Sequence, residues 1–243
     1  MHRFLLIPIL AFFAIAAGPA EEAERLMIAG QEREAFGLVE RAAAVGDLEA
    51  INYLGWFYDE GRVVAQDQAR AAGLYRRAAE RGQRHAQWRL GVMLDLGEGV
   101  RANPAEAVTW LRRAAAQGSP RGHTSLAVMY ANGRGVAQDY AQAMRHYRAG
   151  AALGEPHGFY GVGVLHLQGE GVPRDPREAF AWFAVAASLG FEEADEGMDA
   201  ANLDAPSTRR AIARANEIIK ETGVDAPEIV HEDDPQERPS PIA

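Results

Sequence analysis

The sequence predicts an all-α solenoid, a single array of short helix–turn–helix units. Three observations predict it: a period of 36 residues, helical striping inside each period, and cap chemistry at the expected helix ends. With Ala50, Ala86, Gly122 and Gly158 as first residues, four copies (50–85, 86–121, 122–157 and 158–193) align without insertion or deletion. The fifth and sixth positions read Leu54-Gly55, Leu90-Gly91, Leu126-Ala127 and Val162-Gly163, and the ninth reads Tyr58, Leu94, Tyr130 and His166. A turn follows in each copy, with paired glycines at Gly97/Gly99, Gly133/Gly135 and Gly169/Gly171. The first copy has Gly61 but carries Val63 where the second glycine recurs.

Within a copy, the apolar positions of the first segment fall at i and i+4. Those of the second fall at i, i+3 and i+7, as in Ala107, Trp110 and Ala114. The second segments open on Asp67, Asn103, Asp139 and Asp175. In Asn103-Pro104-Ala105-Glu106 and Asp175-Pro176-Arg177-Glu178 an N-cap, a proline at N1 and a glutamate at N3 stand in the order a helix start requires. Gly82, Gly118, Gly154 and Gly190 close the second segments. Helices of about three turns are marginal alone in water, so they must stack. Gly55, Gly91 and Gly163 lie inside first helices, where glycine costs about 1 kcal/mol relative to alanine. Close approach of a neighbouring helix is the expected compensation.

The remaining segments follow in order. Residues 1–20 combine a basic start, an apolar run from Phe4 to Ala17 and small residues beyond it, which is the pattern of a cleaved secretory signal peptide. Fourteen apolar residues fall short of the roughly 20 a membrane-spanning helix needs, so no stable span is expected after cleavage. Residues 21–49 repeat the second-helix columns one period upstream (Ala35, Leu38, Ala42-Ala43, Gly46) and are expected to cap the array. Residues 194–223 hold a fifth first helix that loses the motif and an amphipathic helix over 207–222, together a C-terminal cap. Residues 224–243, with four prolines and six acids, read as a disordered tail.

The series Leu-Gly-x-x-Tyr-x-x-Gly-x-Gly-Val-x-x-Asp, continued by Ala-x-x-Trp-x-x-x-Ala-Ala-x-x-Gly, resembles the Sel1-like repeat, a relative of the tetratricopeptide repeat. The resemblance implies a right-handed α/α superhelix whose first helices line the concave face. It also implies a protein–protein interaction module of the adaptor or regulator type, some exported members of which restrain membrane sensor kinases. Contact with a membrane-bound sensor or envelope complex is therefore an expectation of the resemblance alone.

Composition narrows the remaining classes. The formal charge is −9, Lys220 is the only lysine among 25 basic residues, and no basic cluster marks a nucleic-acid or anionic-membrane surface. There is no cysteine, hence no disulfide framework or cysteine-linked lipid, and soluble export to a periplasm or beyond is expected. The histidines lack the i, i+4 spacing of a helical metal pair, and no metal or cofactor is expected. His146 and His166 stand in columns held elsewhere by Trp, Leu or Tyr and are read as packing or interhelical hydrogen-bonding residues. The glycine turns lack the strand and the Lys-Ser/Thr of phosphate loops, and no nucleophile elbow occurs. We expect no enzyme. Asp59, Glu60 and Asp95 as paired acids of a cell-wall hydrolase, and a purely structural self-associating solenoid, are the two alternatives.

What the array offers is a surface. On a helical wheel the third, fourth, seventh, tenth and eleventh positions of each first helix oppose the repeat signature and vary between copies. From these columns come the candidate partner-binding residues Asn52, Tyr53, Trp56, Asp59, Trp88, Arg89, Asp95, Thr124 and Tyr160. Tyr53, Trp88 and Tyr160 are the strongest candidates, because their columns are polar in other copies. Trp56 and the valines of its column read equally as packing between adjacent first helices. Aromatic residues beside acids are the usual anchors of peptide recognition, so a protein or peptide partner is expected.

Overall fold

The computed structural model describes residues 18–230. The expected signal peptide therefore falls outside the described residues apart from its last three positions, and so does the tail from 231 onward. Among the described residues ten helices pair into five hairpins, α1 (Pro19–Ile28) with α2 (Glu32–Ala44), α3 (Leu48–Glu60) with α4 (Gln68–Glu80), α5 (Arg84–Leu96) with α6 (Pro104–Ala116), α7 (Pro120–Asn132) with α8 (Tyr140–Ala152), and α9 (Pro156–Gln168) with α10 (Pro176–Ser188), while α11 (Glu193–Ala201) and α12 (Ala205–Thr222) both pack on α10. Among the described residues there is no strand, and the hairpins stack as an α/α superhelix.

Each second helix of the four repeats starts on the residue its cap chemistry selects. Asp67, Asn103, Asp139 and Asp175 accept backbone N–H bonds from residues two or three positions on, at 2.9–3.3 Å. The N3 glutamates then serve the core. Glu106 accepts from the Trp110 indole at 3.2 Å and Glu178 from Trp182 at 2.8 Å, so both buried tryptophans keep a partner. The same two glutamates tie neighbouring elements, through Arg76 at 2.7 Å and Arg214 at 3.2 Å.

The glycine columns are close-packing devices. A Cβ on Gly91 would lie 2.8 Å from Leu111, and one on Gly163 would lie 2.6 Å from Phe183. In the turns, Gly99 and Gly135 have φ of +64° and +66° and sit against the backbone that opens the preceding second helix; a Cβ would meet the Gln68 and Pro104 carbonyl oxygens at 2.3 and 2.2 Å. Val63 adopts the same left-handed conformation at φ 67° as a β-branched residue.

The buried apolar residues form two clusters, one running from Ala23 to Met129 and one from Ala143 to Ile218. They divide inside the third repeat. There the column that buries Leu74, Trp110 and Trp182 holds His146, which faces His123 with Nδ1 atoms 3.1 Å apart and stacks on Tyr130.

The beginning of the presumed tail differs from its composition. Asn216 donates to the Ile229 carbonyl and accepts from the Ile229 N–H, both at 2.9 Å, while Val224 and Ile229 pack on the second cluster. These contacts are a local detail that averaging composition over 224–243 conceals.

Candidate partner groove

The first helices of successive repeats lie side by side and present one face that no second helix covers. A helix turns about 100° per residue. The columns of Tyr53, Trp56 and Glu60, joined by Glu49 one residue ahead of the repeat start, therefore share an arc about 60° wide. Asn52 and Asp59 lie about 80° from its centre and turn into the junction with the next first helix. This corrects the wheel reading of Asp59. Asn52, Asp59 and Thr124 are largely buried, at 7%, 3% and 6% exposure, but Asn52 and Thr124 still line the two clefts of this face, whereas Asp59 lines neither.

At the junction of α3 and α5, Arg89 grips Asp59 through two bonds of 2.6 and 3.0 Å and reaches Glu98 at 3.1 Å. The Tyr75 hydroxyl approaches the same carboxylate at 3.4 Å. Burial, and then the charge of Asp59, push that phenol far above its ordinary value. Asn52 bonds His85 at 3.0 Å, and burial holds that imidazole below its usual range. In front of these groups opens a cleft of about 830 Å³, lined by Glu49, Tyr53, Trp56, Arg84 and His85 with Glu24 and Met27 of α1. Trp56 thus packs edge-on against Phe57 and also borders open space, with the Arg62 guanidinium 5.6 Å from its ring.

At the junction of α5 and α7, Trp88 donates its indole N–H to Ser125 at 3.0 Å and lies under Arg121, 5.1 Å from its ring. Asp95 is paired with Arg134 at 2.8 Å; burial raises its carboxyl and Arg134 opposes the rise. Two of the three candidate acids of the hydrolase alternative, Asp59 and Asp95, are therefore engaged by arginine. Thr124 bonds the Arg121 carbonyl at 3.1 Å, and its methyl fills the space beside Gly150.

The junction of α7 and α9 is built differently. The positions filled by Asp59 and Arg89 at the first junction are Ala131 and Gly161 here, and a second cleft of about 520 Å³ opens between the helices. Tyr160 lines it, packed on Phe183 and Phe191 at 5.3 and 5.0 Å. Tyr147 lies against Gly161, where a Cβ would come within 2.3 Å of the ring. Glu170, Tyr140 and His157 complete the walls, with the Tyr140 hydroxyl donating to Glu170 at 2.9 Å and His157 paired with Glu155 at 2.8 Å.

Of the nine candidates, Tyr53, Trp56 and Tyr160 border clefts with substantial open space. Trp88, Arg89 and Asp95 are half-buried and committed to neighbours, Asn52 and Thr124 are largely buried at the cleft walls, and Asp59 is interior. Glu49, His85, His157 and Tyr147 were missed. The first three stand one residue ahead of the repeat start, and helices that begin two residues before Ala50, Ala86 and Gly158 bring that column onto the groove. Tyr147 had a fainter signal, the coincidence of Ala127 in a glycine column with Gly161 in a column of larger residues.

Fold and groove define an α/α repeat scaffold. The Sel1 repeat family matches residues 48–83, 84–119, 120–155 and 159–191, more than half of the chain, and the protein belongs to this family. Sel1 repeat proteins generally mediate protein–protein interaction. A Sel1 repeat protein from Oxalobacter formigenes is 28% identical, with a TM-score of 0.69 over 83% of this chain and 87% of that one. A protective antigen of uropathogenic Escherichia coli is also 28% identical, with a TM-score of 0.68 over 87% of this chain and 50% of that one. An immunity protein of Pseudomonas aeruginosa, at 17% identity and a TM-score of 0.57 over 89% of this chain and 88% of that one, shares the fold. The search of curated proteins returns no match.

Proposed function

We propose that this protein is an exported bacterial interaction module whose concave face holds an extended segment of a protein partner. In this reading it serves as an adaptor or regulator of an envelope complex or a membrane-bound sensor. One observation carries the proposal. The two clefts lie on one continuous face of first helices, joined by the column Trp56, Val92, Val128 and Val164, and Leu96 and Val128 on that face are 55% and 37% exposed. Apolar side chains spaced by one repeat and flanked by hydrogen-bonding groups suit a partner that anchors a few side chains and leaves its backbone to polar contacts. Export rests on the basic and apolar leader in the first twenty residues. Family members act as scaffolds, which favours binding over turnover.

A photo-crosslinking residue at Val128 in the groove, compared with one at exposed Thr109 on the second-helix side, tests the reading in the envelope fraction. The expected result is one dominant protein adduct from position 128 and none from 109. Tyr53→Ala with Tyr160→Ala is expected to weaken retention of that protein about tenfold or more while helical content is kept. Equal adducts from both positions, or retention unchanged in the folded double variant, would overturn it.

A further inference from the structure

The cleft between α7 and α9 repeats the arrangement of the first junction with two of its four members removed. At the first junction Arg89 lies between the carboxylates of Asp59 and Glu98 and beside Tyr75. One period is 36 residues, so two periods on the equivalents are Gly161 for Arg89, Ala131 for Asp59, Glu170 for Glu98 and Tyr147 for Tyr75. One acid and the ring remain; the guanidinium and the other acid do not.

Two substitutions in the repeat pattern produce this state. Tyr75, Leu111 and Phe183 each pack on the glycine of their own first helix and are fully buried. In the third repeat that glycine is Ala127, and the ring of Tyr147 lies instead against Gly161 of the next helix, facing the cleft. Tyr140, Tyr160 and Phe191 add further aromatic wall. No arginine or lysine lines this cleft, although the chain holds 25 such residues. Among the described residues Glu170 makes no ion pair, and its one side-chain hydrogen bond comes from Tyr140.

We propose that this cleft receives an arginine side chain of the partner protein, which occupies in trans the place that Arg89 occupies in cis at the first junction. An aromatic wall with a carboxylate at its rim attracts a planar cation through both ring faces and charge. A guanidinium fork also meets a carboxylate with two parallel bonds, which an ammonium cannot do. The inference rests on the groove reading above and specifies one anchor within it.

The test uses the full chain and the probe acetyl-Ala-Ala-Arg-Ala-Ala-amide, with Lys, Gln and Leu versions as controls and free spermidine as a small-cation control. Shifts of the Tyr147, Tyr160 and Phe191 ring resonances report binding. The arginine peptide is expected to bind in the millimolar range, with lysine weaker and glutamine and leucine at least tenfold weaker. Glu170→Gln is expected to weaken the arginine peptide about fivefold or more, and Ala131→Asp, which restores the second carboxylate, to tighten it severalfold. Ala127→Gly with Gly161→Arg gives Tyr147 the packing gap used in the other repeats and supplies the arginine in cis; this folded variant is expected to bind no peptide.

Leucine binding as well as arginine, indifference to Glu170→Gln, or spermidine binding more tightly than the arginine peptide would each overturn the assignment. The groove reading stands or falls separately on the adduct at position 128. If that adduct forms and the filled-cleft variant retains the partner undiminished, the arginine pocket is wrong and the groove is right.

Discussion

Arg89 shows how one side chain can look like a binding residue in sequence and serve packing in the fold. Its guanidinium is the counter-charge for Asp59, whose side chain is 2% exposed, so removing it strands a buried carboxylate. Arg89→Ala is expected to lower the unfolding free energy by about 3 kcal/mol in urea denaturation, while joint replacement of Arg89 and Asp59 by Met and Leu costs far less. His146 makes a second prediction at this scale. Burial first, then His123 and the nearby Arg145 and Arg112, depress its pKa from 6.5 to about 4, so the folded ring is neutral. Between those values the unfolded chain binds more protons, and the stability contributed above pH 6.5 is lost as pH falls toward 4. The melting temperature of His146→Trp, the residue found in two other copies, is expected to fall less steeply over that interval. Tyr53 and Trp56 were legible as groove residues because they point along the centre of the face; Tyr160, in the edge column of Asn52 and Thr124, borders the groove because its junction is open. The burial of Asn52, Asp59 and Thr124 was not legible, because a wheel of one helix does not contain the neighbour that covers its edge.

At the scale of elements, the turns do more than reverse the chain. In the second and third repeats the second turn glycine, Gly99 or Gly135, lies against the backbone at the start of the preceding second helix, so a Cβ there requires backbone movement. Gly99→Ala is expected to cost at least about 2 kcal/mol, since the obstruction is backbone and the left-handed conformation disfavours any Cβ. Val63 is the converse case: it bears that conformation without a glycine, at a site where it is 41% exposed. Val63→Gly is expected to raise stability by roughly 0.5–1 kcal/mol, relief of the left-handed penalty outweighing the added freedom of the unfolded chain. Both effects read directly as shifts in the urea midpoint. Caps, turn glycines and helix periodicity were all visible in the sequence because they act within a few residues of themselves. The contact of Gly99 with Gln68 was not, since a glycine column announces a close approach without saying what approaches.

Across the whole molecule, the division of the core in the third repeat matters most. A linear array transmits stability only through nearest-neighbour contacts, so a polar pair in one hairpin weakens the link between the halves on either side. Below about pH 4, where the His146 ring takes up a proton beside His123, we expect urea unfolding in two steps instead of one. Single-tryptophan variants read this directly: Trp110 reports the half that ends at Met129, and Trp182 the half that begins at Ala143. Coincident transitions for the two reporters at pH 3.5 would rule the division out.

The sequence by itself determined the class of fold, the length of the unit, the place of each cap and turn, and the identity of the surface that first helices share. These follow from local rules repeated at a fixed interval, and repetition makes a weak local preference legible. Only the tertiary structure decided which residues of that surface are open and which are sealed, and that the third junction has space where the first is filled. That outcome depends on pairs 14 and 20 residues apart, Tyr147 with Gly161 and Ala127 with Tyr147, whose steric competition exists only once neighbouring helices are side by side.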